Sequence, residues 1–399
     1  MQASAGNRAV LFTMLIFYAQ PLLMGAWLSQ VSGIQTGLGV DKAVLSLGLM
    51  GMPAGLVPTL YFAGKIVEKR GPRRSLLLMF PPMLFLAALP GFVNTIGAMF
   101  VVLFLLGMCI AVVQLSLNVY AGRVEQASGR FIMNRAHGFW SAGVMTGSLI
   151  AVRIATMGAE PGPILGGMAI VLLPVLMGIA WFAPHVAVHE QGDASPGPRR
   201  AIPKALIFVT FVVLGATFIE GTMTDWASIY MREIVHLSQG KEGLAVAIFA
   251  GLVTLGRFIG DGLAVLIGPV RLARVCLTSA IAGILTLVVS ANEQLAYLGF
   301  ALVGFGASTI FPLGVSACAA MDLENVERNV AVMTFGALMG LLLAPPTIGF
   351  LSEITSLSTA LAVLLPGAVV SFLLAYHLKP SPGLAQQNVD THIKIQQIN

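Results

Sequence analysis

The chain has 399 residues, of which 57% are hydrophobic and only 10% charged, and its mean hydropathy is +0.89. That composition lies far outside a water-soluble globular chain of this length and places the protein in a bilayer, as a polytopic membrane protein. The formal charge of +5 comes mostly from cationic loops and argues against nucleic acid as a partner.

Apolar blocks near the ~20 residues that cross a bilayer fall at about 9–30, 43–64, 75–93, 96–122, 136–157, 163–184, 204–231, 243–264, 272–290, 295–318, 330–352 and 357–378. They predict an all-α chain of twelve transmembrane helices. The first block is too long for a signal-peptide core and has no small-residue cleavage site after it, so it is expected to stay as the first span. With the N-terminus inside, the outer loops hold only Lys42, Arg153, Arg232 and Lys241 of the 22 basic residues. The positive-inside rule then puts both termini in the cytoplasm. His185 to Pro203 carries Pro, Gly and paired Arg and reads as a cytoplasmic linker, residues 185–203, between six-helix halves at 1–184 and 204–378. The polar tail, 379–399, is expected to be disordered. Cys109, Cys276 and Cys318 lie inside apolar blocks without pairing or metal-ligand spacing, and read as small core residues.

An internal repeat supports two halves. Gly25 to Ser29 parallels Thr224 to Ser228 at an offset of 199, while Gly64 to Arg74 parallels Asp261 to Arg271, and Gly107 parallels Gly304, at 197. An even number of helices per half orients both halves alike, an architecture associated with a site at the midplane between them.

The segment 206–231 is apolar enough to span yet contains Glu220 and Asp225. Intramembrane carboxylates are costly and mark functional positions. Glu220 and Thr224 share a helical face, whereas Glu220 and Asp225 are about 140° apart. Glu220 is the deeper acid, about 24 Å of helix rise from Lys204, and is the candidate proton-coupling group; a structural carboxylate bonded to a neighbouring helix is the rival reading. Asp225, nearer the outer end, is a candidate outer-gate partner of Arg232 or Arg153.

The loop Gly64-Lys65-Ile66-Val67-Glu68-Lys69-Arg70-Gly71-Pro72-Arg73-Arg74 resembles the signature between helices 2 and 3 of the major facilitator superfamily, with Glu68 where Asp is usual. The resemblance covers nearly the whole chain and implies two pseudo-symmetric six-helix bundles. It also implies a gating role for Gly64, Glu68, Gly71 and Arg73 at the cytoplasmic ends. The second copy is degenerate, with Val265 in the place of Glu68; Arg257 and Asp261 stand at i and i+4 and are candidates to pair and gate.

Asn118 to Glu125, His137 to Ser141, Glu220-Gly221, Asp225-Trp226, Gly306-Ala307-Ser308 with Phe311-Pro312, and Pro345-Pro346 with Gly349 are similar to the fucose-permease-like branch of bacterial inner-membrane members. That resemblance implies a central cavity lined by helices 1, 4, 7 and 10, with Gln20, Trp27, Gln114, Asn118, Thr224 and Trp226 as substrate-cavity candidates beside Glu220. The two tryptophans read more often as interfacial anchors, and the two amides equally as helix-to-helix hydrogen-bonding groups. The branch often has a carboxylate at the position of Gln114 and an Arg near Gln30; both are amides here, which favours an uncharged, hydrogen-bonding solute. His137 reads as an interfacial histidine and Gly143 with Gly147 as close packing. Pro345-Pro346 are expected to bend or break helix 11.

The expectation is a monomeric secondary transporter of the bacterial inner membrane that moves a small polar, neutral, sugar-like solute by alternating access and proton-coupled symport. Proton-coupled efflux of amphipathic compounds is the alternative, motivated by 19 Met and 22 Phe and few polar cavity groups. A non-transporting receptor or assembly subunit is a third reading. No P-loop, nucleophile elbow or metal cluster is present in the sequence, so neither an enzyme nor a cofactor is expected.

Overall fold

The computed structural model describes residues 2–128, 132–186, 202–238, 240–290, 292–321 and 326–379, excluding the side chains of 2–6 and 326–327. Most of the expected linker (187–201) and nearly all of the expected tail (380–399) therefore fall outside the described residues.

Twelve helices are long and apolar enough to cross a membrane: α1 Asn7–Leu38, α2 Lys42–Arg70, α3 Pro72–Gly91, α4 Ile96–Ser128, α5 Met133–Ala155, α6 Pro161–Phe182, α7 Lys204–Glu233, α8 Leu244–Ile267, α9 Pro269–Val289, α10 Glu293–Met321, α11 Arg328–Ile354 and α12 Leu357–Leu378. They match the twelve apolar blocks, though α1 and α2 run further than hydropathy alone suggested. Successive helices alternate in direction. The end where α1 starts is called the near end below, and the end where α1 and α7 finish the far end.

Prolines decide where the helices are irregular. Helix α1 is interrupted at Gln20 and Pro21, because Pro21 has no N–H to give to the turn before it. Helix α10 breaks at Ser308 and Thr309, four residues ahead of Pro312, whose missing N–H frees the Ser308 carbonyl. By contrast, α11 stays helical through Pro345 and Pro346, so of the expected bend or break the break does not occur.

Lipid tails are as apolar as leucine, so helices in a bilayer associate by close packing rather than by hydrophobic transfer. Glycine provides the close approaches. A Cβ at Gly107 of α4 would overlap the backbone of Met52 on α2, and one at Gly304 of α10 would overlap the backbone of Phe249 on α8. Both partners of that contact are displaced by 197 residues. Gly71 and Gly268, also 197 apart, each take a left-handed φ, of 74° and 84°, and each is followed by a proline that opens the next helix. The repeat read from spacing is thus repeated as geometry. Gly143 and Gly147 press α5 onto the backbone of α1 at Tyr18 and Leu22, which is the packing role expected for them.

Substituting Gly107 with Val should destabilise the fold by about 2 kcal/mol through overpacking, read as a thermal midpoint lowered by several degrees, whereas the same change at the open Gly97 should leave it almost unmoved.

Candidate functional site

Glu220 is not an isolated acid. Its carboxylate lies 3.5 Å from the guanidinium of Arg257 on α8, with the two side chains only 23% and 10% exposed. Arg257 also donates to Ser141 Oγ at 2.6 Å and to the His137 carbonyl at 3.3 Å, both on α5. Its Nε donates to the Ser308 carbonyl at 3.4 Å, the group that Pro312 leaves without a main-chain donor. One buried cation therefore joins α5, α7, α8 and α10. The expected i to i+4 pair of Arg257 with Asp261 does not form among the described residues: Asp261 is exposed and accepts from the Asn134 side chain of α5, while Arg257 turns inward to Glu220.

The remaining candidates separate. Thr224 turns its hydroxyl back to the carbonyls of Glu220 and Gly221. Gln114 and Asn118 share one face of α4, both half-buried, and the Asn118 amide oxygen is buried with no hydrogen-bond partner. Gln20 accepts from the Trp140 indole at 3.1 Å, and its amide nitrogen rests 3.7 Å from the sulfur of Met83. Trp27 and Trp226, expected at the cavity, are each 1% exposed and belong to the apolar core. Trp226 is on the same α7 face as Tyr230, which donates to the Leu287 carbonyl of α9 and packs on Phe300. Helix position did not show that this face turns away from α1.

Asp225 does not meet Arg232 or Arg153. It is 9% exposed, and among the described residues it makes no ion pair. Arg232 instead reaches α1, donating to the Ser32 carbonyl, the Thr36 hydroxyl and, at 2.6 Å, the Gln35 amide oxygen. Around it, Lys42 bonds Glu233 at 3.2 Å and approaches Glu353 at 3.9 Å. Ser32 donates to Glu242 at 3.3 Å, Ser148 to the Gly243 carbonyl at 3.1 Å and Ser228 to the Leu28 carbonyl at 3.5 Å. The far end is therefore laced shut between α1, α2 and α5 on one side and the loop and ends of α7, α8 and α11 on the other. At the near end, the hydrogen bonds between the first and last six helices that involve described residues run along α5 and α8 alone.

The signature loop behaves accordingly. Glu68 is exposed and makes no ion pair among the described residues, and Gly64 faces open space. Arg73 turns to α6, donating to the Ala180 carbonyl at 3.1 Å and to the Trp181 carbonyl, with its guanidinium over the Trp181 ring. A cation at a helix C-terminus is favoured by the helix dipole. The residues that spacing missed are Ser141, Ser308 and Trp140. The first two act through a hydroxyl and a carbonyl, which carry no charge signal in a sequence.

The family model described as Major Facilitator Superfamily matches residues 9–320 and 209–394. An uncharacterised MFS-type transporter of Yersinia pestis is 29% identical over 350 residues, covering 87% of this chain and 90% of its own. An uncharacterised transporter of Sinorhizobium fredii is 28% identical over 345 residues, covering 84% and 89%. Among solved structures, the nucleoside transporter NupG has a TM-score of 0.68 at 15% identity, over 94% of this chain and 98% of its own. A variant of the E. coli fucose:proton symporter FucP has a TM-score of 0.64 at 14% identity, over 94% and 99%.

Two outcomes test this geometry. Arg257→Ala strands a buried carboxylate and should cost about 3 to 5 kcal/mol, while adding Glu220→Gln should recover much of it, a coupling that a double-mutant cycle in thermal unfolding will show. Arg232→Ala should unlock the far end, raising several-fold the reaction of a Ser29→Cys thiol with a charged maleimide when the three native cysteines are replaced.

Proposed function

Because the chain belongs to the Major Facilitator Superfamily, and is a multi-pass membrane transporter, we propose that it moves a small polar, uncharged solute by alternating access, in symport with a proton carried by Glu220. The observation that carries this reading is the Arg257 junction. Arg257 is held from one side by the Glu220 carboxylate and from the other by Ser141 and the His137 carbonyl of α5. A proton on Glu220 removes the only carboxylate that Arg257 touches among the described residues, so proton occupancy bears directly on the seam between the two six-helix halves, 1–184 and 204–378. Ion-pair geometry that depends on a proton is what a coupled carrier needs at its midplane.

The solute class follows from charge and hydrogen bonding. Glu220 and Arg257 cancel, leaving no free charge for an ionic solute at the junction. Gln114 and Asn118 offer amides from one face of α4, and the unpartnered oxygen of Asn118 calls for an O–H or N–H donor. A polyhydroxylated or nucleoside-like molecule meets that demand. The distribution of Lys and Arg supports a near end in the cytoplasm, and the relatives come from bacteria, which supports a place in the bacterial inner membrane. In that setting the closed far end and the sparse near-end contacts correspond to an inward-facing carrier, with Arg232, Lys42 and Glu242 as its outer gate.

Purified protein screened for thermal stabilisation by sugars, polyols and nucleosides should give a hit that exchanges in counterflow in proteoliposomes. Glu220→Gln should retain counterflow, which needs no net proton release, and lose accumulation driven by a pH gradient. Unchanged accumulation in that variant would remove Glu220 from the mechanism; movement of lipophilic cations with every neutral solute inert would replace symport by efflux.

A further inference from the structure

We propose that Asp225 is the anionic ligand of a sodium site between α7 and α11, separate from the Glu220 junction. Register fixes its surroundings. Thr217 of α7 donates to the Ala337 carbonyl of α11 at 2.8 Å, and a Cβ on Gly221 would lie 3.1 Å from Leu341. Both pairs are 120 residues apart on parallel helices, so one turn on, Asp225 stands level with Pro345.

That level is where α11 has free oxygen atoms. Pro345 and Pro346 have no N–H, so the carbonyls of Leu341 and Leu342 lose their i+4 donors. The Ser308 carbonyl, freed in the same way by Pro312, is taken by Arg257; no side chain plays that part for Leu341 or Leu342 among the described residues. On α7, Thr222 lies three residues before Asp225, is 0% exposed, and its hydroxyl oxygen has no partner. A 91%-buried carboxylate that meets no basic partner among the described residues thus stands level with the proline pair that frees carbonyls on α11, and an orphaned hydroxyl lies three residues before it on α7.

A buried carboxylate has to be neutralised by a proton or a cation. A protonated Asp225 would satisfy a single acceptor and leave the other oxygens as they are. A hard cation needs several oxygen ligands at once, and the proline pair frees carbonyls for it without unwinding α11. One carboxylate balances one positive charge, and sodium is the small, hard monovalent cation that carboxylate and carbonyl oxygens suit. Arg257 and Glu220 already cancel each other, so the sodium charge balances Asp225 alone.

The test needs no knowledge of the transported solute. Full-length protein in detergent, at mildly alkaline pH, is titrated with NaCl against KCl and choline chloride at constant ionic strength, following the thermal midpoint and tryptophan fluorescence, to which Trp226 contributes from the neighbouring position. Sodium should raise the midpoint by several degrees in a saturable manner that potassium does not reproduce. The shift should vanish in Asp225→Asn, need about tenfold more sodium in Thr222→Val, and persist in Glu220→Gln. Equal midpoints in sodium and potassium overturn the proposal, as does a sodium shift retained in Asp225→Asn. So does acid alone reproducing the stabilisation with sodium adding nothing, since a proton then holds the carboxylate. Should Asp225→Asn fail to fold, the wild-type titration and Thr222→Val still decide the matter. Because Glu220→Gln serves as a control, loss of the proton-symport reading leaves this result intact.

Discussion

A cation cannot be left alone inside a membrane, and this constraint organises the centre of the protein. Arg257 sits midway along α8 and meets the constraint with one carboxylate and three neutral oxygens drawn from three other helices. Each partner exists for a local reason. Glu220 shares a face with Thr224, Ser141 lies one turn past His137, and the Ser308 carbonyl is available because Pro312 interrupts α10. The break in α10 is thus the structural counterpart of the charge on α8.

Around that centre, the close contacts are made by glycine, and they come in pairs. Gly107 on Met52 and Gly304 on Phe249 are one contact made twice, as are the left-handed turns at Gly71 and Gly268. Helices α1 and α7 meet at the far end with a register of their own: Ser228 meets Leu28 and Arg232 meets Ser32, each 200 residues apart. Identical spacing at two levels shows two straight helix segments running side by side, which is why one arginine can reach a carbonyl, a hydroxyl and an amide on the same turn of α1.

Much of this was legible in the sequence. Hydropathy located all twelve helices because a spanning segment has to be apolar along most of its length, and the offset of 197 located paired glycines because close packing tolerates little else. Glu220 was legible as the central acid for the same energetic reason. Its partner was not, since Arg257 is 37 residues away and helical spacing pointed it at Asp261; only the packing of α8 on α5 and α7 decides between two acids. The tryptophans, named for the cavity because the resemblance lines it with helices 1 and 7, are packed in the apolar core; a resemblance gives the helix but not which of its faces meets which neighbour. Asp225 was read as a gate group from its height in the membrane, whereas its register against α11 is a tertiary fact.

The side chains that tie helices together bind main-chain carbonyls again and again: Arg232 takes Ser32, Arg257 takes His137 and Ser308, Arg73 takes Ala180 and Trp181, and Thr217 takes Ala337. A carbonyl is present whatever side chain its residue carries. The receiving helices are therefore free to drift in sequence without breaking the contact, and only the donor is under constraint. Divergent chains can keep one architecture in this way at low identity, because half of each tie is written in the backbone.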